Sequence, residues 1–342
     1  MAARIWLVGM ALLGGMFGAS AAPAVISTTW VAGLATAQTA ATESGTWTAD
    51  LHRPWRDKDG HARLQFHLRT AGRADQWGFG LRPDELQGFP AAAGDGAMPN
   101  VEFRLLREAG TFTFTGAFDV GRGAGSFTFV PSAAFTTAMA QLGYPDVARH
   151  GLMRLAGVDV TTTFTRELHQ AGQAAVPPDD LVRFRIHGVS GAVVRAFGQA
   201  GLTGLGPDDL VRLRIHNVTP EFIEGLKARH YTGLDADDLT RMRIHGVTLE
   251  ELDAVLAAGL RGVTAGDLVR FRIHKVTAAF IREMRALGFT TADEDDFVKM
   301  RIHRVTPRFV RDARADGVEV RDADDAVDLA IHGKRRARAR RR

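Results

Sequence analysis

Residues 178–189 read Pro-Asp-Asp-Leu-Val-Arg-Phe-Arg-Ile-His-Gly-Val, and the pattern returns at 207–218 as Pro-Asp-Asp-Leu-Val-Arg-Leu-Arg-Ile-His-Asn-Val. Its most constant part is an Arg-Ile-His triplet, with a valine two residues after the histidine. The histidines mark a 29-residue period, at His187, His216, His245, His274, His303 and His332. A fixed period of this length is the signature of repeat architectures, so this spacing decides the fold of the second half of the chain.

Each 29-residue unit predicts two short helices. Asp235 or Thr264 precedes the first helix with another aspartate three residues later, which is a helix-capping arrangement. The second helix begins after a serine or threonine, such as Thr219, and ends at a glycine, such as Gly259. Helices of about ten residues are unstable alone, so each must bury its apolar face against a neighbour. One unit's predicted apolar face is Leu210, Ile215, Val218, Phe222, Ile223, Leu226 and Tyr231.

Residues 45–130 show the period-two alternation of β-strands. Leu64, Phe66 and Leu68 alternate with polar residues, and 47–51 and 101–105 repeat the pattern. We expect about six antiparallel strands in a small sandwich or open barrel. The predicted fold class is therefore α+β, with an antiparallel β-domain followed by an α-solenoid of 29-residue two-helix repeats over residues 131–333.

The N-terminal region carries an export signal. The first 40 residues contain one charged side chain, Arg4, followed by an apolar run. Small-residue cleavage motifs end at Ala21 and Ala37, so residues 1–37 are interpreted as a signal peptide, with a retained membrane anchor as the alternative. Either interpretation predicts an extracytoplasmic protein, periplasmic or secreted. The chain has no cysteine, which excludes disulfides and thiolate metal sites.

The formal net charge of +4 comes from the C-terminal tail, residues 334–342. Seven of the 43 basic residues lie there, and the remaining chain has a net charge of −3. Such a run predicts a disordered segment that binds lipopolysaccharide, anionic lipid or nucleic acid by charge alone, or a merely solvated tail. No sequence-specific nucleic-acid motif accompanies it. The candidate polyanion-binding residues are Lys334, Arg335, Arg336, Arg338, Arg340, Arg341 and Arg342.

The first helices of the units carry the candidate partner-binding stripe. A basic residue lies four positions before each histidine, so both side chains are predicted to line one face. This stripe either receives an acidic partner or is a solvated surface. Its residues are Arg183, His187, Arg212, His216, Arg241, His245, Arg270 and His274. The triplet arginine, such as Arg185, is expected to pair with an aspartate of an adjacent unit, such as Asp209.

The histidines are expected to hydrogen-bond free carbonyls at the helix ends, with pH sensing or ligand contact as alternatives. No metal site is predicted, because stacked helices lie about 8–10 Å apart and one histidine per layer does not converge on an ion. No catalytic or cofactor-binding residue is predicted either. The alternative is an enzyme site in the β-domain around Arg63, His67 and Trp77, where the tryptophan stacks on a sugar or packs in the core.

The β-domain segment Arg107-Glu108-Ala109-Gly110-Thr111-Phe112, together with repeats of the Arg-Ile-His-x-Val-Thr-Pro type, resembles uncharacterised bacterial extracytoplasmic proteins. Some of these are fused behind beta-lactam-sensor-type regulatory membrane metallopeptidases. The peptidase motif His-Glu-x-x-His is absent here, so the resemblance implies a sensing or interaction module and transfers no catalytic residue. We therefore predict an exported, non-enzymatic binding or scaffold protein that uses its helical surface to contact an unknown protein partner, in envelope sensing or regulation.

Overall fold

The computed structural model describes residues 41–56, 62–72, 76–90, 93–174 and 176–333 of the chain, all within one compact unit. The fold is α+β, with seven antiparallel strands followed by fourteen helices in this described part. The predicted signal peptide (1–37) and the polyanion-binding tail (334–342) lie outside the described residues. Among the helices that are described, none has the length and apolar character needed to cross a membrane.

The strands form one curled, half-barrel sheet. Their spatial order is β3-β2-β1-β7-β6-β5-β4, and every neighbouring pair is antiparallel. The strands are β1 (Glu43–Arg56), β2 (Ala62–Thr70), β3 (Gln76–Leu81), β4 (Leu86–Gln87), β5 (Met98–Arg107), β6 (Gly110–Asp119) and β7 (Arg122–Pro131). All seven strands belong to one sheet. The described β-domain is therefore open, and its described residues contain no second sheet that would make it a sandwich.

The alternating residues of the strands form the core of the β-domain, as the period-two pattern predicts. Phe66, Phe103 and Phe114 are almost completely buried, and the rings of Phe103 and Phe114 stack with their centroids 4.9 Å apart. Trp47 lies over Gly123, where a Cβ atom would come within 2.7 Å of the indole. Glycine is required there because the sheet curls tightly around this ring.

The helices follow the sheet directly. They are α1 (Ala133–Gln141), α2 (Leu152–Gly157), α3 (Thr162–Gln170), α4 (Pro178–His187), α5 (Gly191–Gln199), α6 (Pro207–Ile215), α7 (Pro220–Lys227), α8 (Ala236–Ile244), α9 (Leu249–Ala257), α10 (Ala265–His274), α11 (Ala278–Ala286), α12 (Glu294–Ile302), α13 (Pro307–Ala315) and α14 (Ala323–His332). From α4 onwards, the even-numbered helices are the first helices of the 29-residue units and the odd-numbered ones are the second helices.

Helix boundaries follow the capping residues of the sequence. The hydroxyls of Ser190, Thr219, Thr248, Thr277 and Thr306 each accept a hydrogen bond from the backbone N–H three residues further on. After each first helix the chain passes through the left-handed region, at Gly188, Asn217, Gly246, Lys275 and Arg304. Gly333, the residue after α14, has a positive φ but an extended ψ, so α14 ends without a left-handed cap.

Neighbouring units pack helix against like helix. Successive first helices contact one another from α4 through α14, and the second helices contact one another from α7 through α13. The residues between these layers are buried, including Leu210, Leu213 and Val218. Ile215, which the sequence assigns to the same apolar face, is 54% exposed instead. The prediction for Ile215 was wrong, and its position defines the surface described below.

Polar contacts join the sheet to the first helices. The Glu108 carboxylate, at the end of the β5–β6 turn, accepts a hydrogen bond from the backbone N–H of Thr162 at 2.9 Å and so caps the N-terminus of α3. Asp159 lies between two arginines, 3.6 Å from Arg107 and 3.1 Å from Arg185. The sheet therefore closes one end of the helical layers.

Candidate interaction surface

The most regular surface feature is a line of exposed isoleucines. Nine large hydrophobic side chains are exposed in the described part of the chain, and six of them are isoleucines at 29-residue spacing. We call these six the isoleucine row; each is 51–60% exposed: Ile186, Ile215, Ile244, Ile273, Ile302 and Ile331. Isolated exposed apolar residues are ordinary, whereas a contiguous apolar patch marks an interaction site. The regular placement makes this row the candidate functional surface.

Helix geometry explains why these isoleucines are exposed. In α6, Leu210, Val211 and Leu213 are buried. At about 100° per residue, Ile215 points about 40° beyond Val211, past the edge of that buried arc. The same geometry recurs in each first helix. Neighbouring helices pack about 8–10 Å apart, so six of them extend the row over about 40–50 Å.

Beside the isoleucine row runs a second line, the basic row of Arg183, Arg212, Arg241, Arg270 and Lys299, each three residues before an isoleucine. Three of its arginines are held between two carboxylates, one in the same helix and one in the next unit. The distances are 2.6 Å and 2.8 Å from Arg183 to Asp180 and Asp208, 2.7 Å and 2.7 Å from Arg212 to Asp209 and Asp237, and 3.1 Å and 2.6 Å from Arg270 to Asp267 and Asp295. Most of the predicted cationic stripe is therefore neutralised within the protein.

Arg241 interrupts this pattern. The position that supplies the carboxylate of the next unit is glycine here, Gly266, where the neighbouring units have Asp237 and Asp295. Among the described residues, Arg241 has no carboxylate within 4.0 Å, unlike the other four members of the basic row. It is exposed and lies one helical turn before Ile244. Asp238, three residues before Arg241, holds the same intrahelical position as Asp180, Asp209 and Asp267, but it does not come within 4.0 Å of the guanidinium. Near the middle of the isoleucine row, Arg241 therefore lacks the inter-unit carboxylate that its neighbours have.

The arginine of the Arg-Ile-His triplet binds the preceding unit through its backbone. Its Nε donates a hydrogen bond to a carbonyl at the end of the preceding first helix, at 2.9–3.4 Å. The pairs are Arg185 with Val158, Arg214 with His187, Arg243 with Asn217, Arg272 with His245, and Arg301 with His274. A cation is favourable at these carbonyls because of the helix dipole. Arg185 pairs with an aspartate of an adjacent unit, as expected, but this is Asp159 of the preceding unit; the naming of Asp209 was wrong.

Three of these five arginines also lie against aromatic rings. The guanidinium carbon is 5.2 Å from the ring centroid of Phe164 for Arg185, 5.0 Å from Phe222 for Arg243 and 5.1 Å from Phe280 for Arg301. Glu251 stands at the position equivalent to Phe222 and Phe280, and its carboxylate lies 3.3 Å from the guanidinium of Arg272. Glu251 therefore does not return a hydrogen bond to Thr248 as a capping box would. Each triplet arginine joins two units.

The histidines do not cap the helix ends through their rings. Within the described residues, no hydrogen bond is formed by the rings of His187, His216, His245 or His274, which are half-buried beside the isoleucine row. The free carbonyls are satisfied by the triplet arginines instead, because each guanidinium reaches back to the preceding unit. Burial, and then the positive charge of Arg183, lower the pKa of His187 below its usual 6.5. The lowered pKa favours the neutral ring, which weakens the positive charge of the stripe at this position.

No family model, no curated protein and no solved structure matches this chain.

Of the three residues named for the alternative enzyme site in the β-domain, the structure describes the side chains of His67 and Trp77. His67 is exposed on β2, and it pairs across the sheet with Gly78, so its side chain and that of the adjacent Trp77 point to opposite faces. Trp77 stacks on Phe79 with ring centroids 4.8 Å apart and packs against Gly157 of α2. It belongs to the core rather than to a sugar platform. The Arg63 side chain lies outside the described residues.

Two other grooves of the described surface are each lined by one charged residue. An open groove of about 560 Å³ lies between the end of α3, α5 and the loop before α6, and Arg195 is its one charged lining residue. Another, of about 600 Å³, lies on the outer face of β5 and β6, with Glu102 as its one charged lining residue. In the described parts of the chain, no three histidine, aspartate or glutamate side chains are arranged to hold a metal ion.

Proposed function

We propose that this protein is an exported, non-enzymatic binding protein whose units stack as an α-solenoid and whose isoleucine row contacts a protein partner. The observation that supports this function is the exposure of the same aliphatic residue at the same place in six successive units. Stacking alone does not need these side chains, since their exposed halves contribute nothing to the core. A ligand that covers them gains the free energy of removing that apolar area from water.

The size of the row sets what kind of ligand it suits. Burying an aliphatic side chain completely is worth about 1.5–3 kcal/mol, so covering the exposed half of one isoleucine is worth about 1 kcal/mol. Binding costs several kcal/mol in lost freedom of motion. Covering one or two isoleucines therefore gives no useful affinity. Covering most of the row contributes about 5–6 kcal/mol, and burial of the ligand's own aliphatic side chains in the same contact contributes a similar amount, which together exceed a cost of several kcal/mol. An elongated protein segment with several aliphatic side chains meets this requirement.

The proposal also favours a scaffold or sensing role over chemistry. The charged groups beside the row are either paired, as in the Arg183 contacts, or single, as at Arg241. General acid–base catalysis needs titratable groups that converge on one reacting atom, and a linear row offers one group in each layer. The predicted signal peptide would place this surface in the periplasm or outside the cell, in contact with envelope proteins.

The test is a selection of peptides on the purified protein. A phage-displayed library of random 12-residue peptides is selected on the wild type and on a triple variant, Ile215→Ser, Ile244→Ser and Ile273→Ser. A control variant carries Leu106→Ser and Val130→Ser, which removes exposed apolar side chains from the sheet. All three proteins must have the same circular dichroism spectrum, as expected for exposed positions.

We expect peptides rich in aliphatic residues that bind the wild type and the control variant and lose at least ten-fold in affinity on the triple variant. Peptides that bind all three proteins equally, or a selection that enriches none, would refute a binding role for the isoleucine row.

A further inference from the structure

The six isoleucines are chemically identical, so an apolar ligand could bind in several registers displaced by one unit. Recognition of one partner in one position needs a feature that differs between units. In coiled coils, a single polar residue in an apolar seam fixes the register in this way. The break in the carboxylate series opposite Arg241 is such a feature near the centre of the isoleucine row.

The break has two consequences for a ligand that covers the centre of the row. A ligand that covers the row leaves the ion pairs of Arg183, Arg212 and Arg270 in place. These arginines therefore do not require a carboxylate from the ligand. Arg241 loses water without gaining a partner, unless the ligand provides one. Removing a charge from water without a partner is costly, so a purely apolar ligand is penalised there and a ligand with a carboxylate is favoured.

We propose that the partner is a protein segment that covers the isoleucine row with aliphatic side chains and places one aspartate or glutamate against Arg241. This inference rests on the proposed function and adds the register and the chemistry of the partner. A second copy of this chain fits less well, because the carboxylates beside the centre of its own row, Asp208, Asp237 and Asp295, already bind arginines, and Asp328 at the end of the row contacts His332.

The substitution Gly266→Asp tests this directly. It supplies the missing carboxylate, as Asp237 does for Arg212 at 2.7 Å. Space is available, since the nearest atom to an added Cβ is the Thr264 hydroxyl oxygen at 3.6 Å. An aspartate in the first turn of α10 also favours the helix dipole, so the variant should be at least as stable as the wild type. Loss of binding cannot then be attributed to unfolding.

The same 12-residue peptide library is selected on the wild type and on Gly266→Asp. We expect wild-type peptides to combine aliphatic residues with one aspartate or glutamate, and we expect that acidic preference to disappear on the variant. For the best peptide, replacing its acidic residue with the amide should weaken wild-type binding about ten-fold. The same replacement should leave binding to Gly266→Asp unchanged. Thr128→Asp, on the exposed face of β7, controls for net charge and should behave as the wild type.

The outcomes separate this inference from the function on which it rests. Aliphatic peptides that need the isoleucine row but show no acidic preference, or that keep it on Gly266→Asp, would overturn the role of Arg241 and leave the binding surface intact. Peptides that are indifferent to the isoleucine row would overturn both. A wild-type protein that forms a dimer, which Ile244→Ser dissociates, would show that a second copy is the occupant and would also overturn this inference.

Discussion

Thr240 lies in the centre of α8, where the preceding and following units have valine. Its hydroxyl is buried and makes no hydrogen bond within the described residues, whereas Val211 and Val269 occupy the same position and are equally buried. A buried hydroxyl without a partner costs about 1–3 kcal/mol. Threonine and valine have nearly the same shape and similar helix propensities, so Thr240→Val changes little else. We expect the free energy of unfolding to rise by about 1 kcal/mol.

The assay is equilibrium unfolding in urea, followed by circular dichroism, together with thermal unfolding, where 1 kcal/mol corresponds to a shift of about 2–4 °C for a domain of this size. Thr165→Val is the matched control. Thr165 is also buried, but its hydroxyl donates to the Thr161 carbonyl at 3.0 Å. The control substitution should be neutral or destabilising. If Thr240→Val destabilises the protein, or if both substitutions have the same effect, the assignment of an unsatisfied hydroxyl in α8 is wrong.

Three further predictions concern Arg301, the ion pair of Arg229 with Asp253, and the C-terminal tail. Arg301→Lys should lower the free energy of unfolding by about 1 kcal/mol, because lysine cannot both donate to the His274 carbonyl and lie flat on the Phe280 ring; an unchanged urea midpoint would contradict this. Hydrogen bonds from Arg229 hold the pKa of Asp253 below its usual 3.8, so that pair stabilises the protein above pH 3.8 and the effect is lost as the pH falls through the lowered pKa. An NMR titration of the Asp253 carboxyl carbon should show the lowered midpoint, and Arg229→Gln should return it to 3.8. Deleting residues 334–342 should abolish retention on heparin, and unchanged retention would eliminate the tail as a polyanion site.

The elements that are governed by local physical chemistry could be predicted from the sequence. Thr219 and Asp235 predict helix starts because a side-chain oxygen satisfies a free N–H nearby in the chain, and both do so in the structure. Phe66 and Phe114 predict the buried face of the strands because side chains alternate across a sheet. Such signals need no knowledge of distant residues.

The features that depend on neighbouring units could not be predicted in the same way. Ile215 was assigned to the core because it is apolar, yet its direction on the helix, rather than its hydropathy, decides its exposure. The carbonyl partner of Arg214 and the carboxylate partner of Arg212 both come from an adjacent unit. Their identity depends on how the helices pack. Whether the strands of the β-domain form one sheet or two likewise depends on how the sheet curves around Trp47. The alternation of apolar and polar residues along each strand does not encode that curvature.

Isoleucine methyl NMR, with the best selected peptide as ligand, shows whether a protein segment covers the isoleucine row. We expect the signals of Ile215, Ile244 and Ile273 to shift on binding, while those of the buried Ile223 and Ile281 do not. Peptide binding that leaves the row signals unchanged, or that shifts only the buried isoleucines, would exclude the isoleucine row as the binding surface.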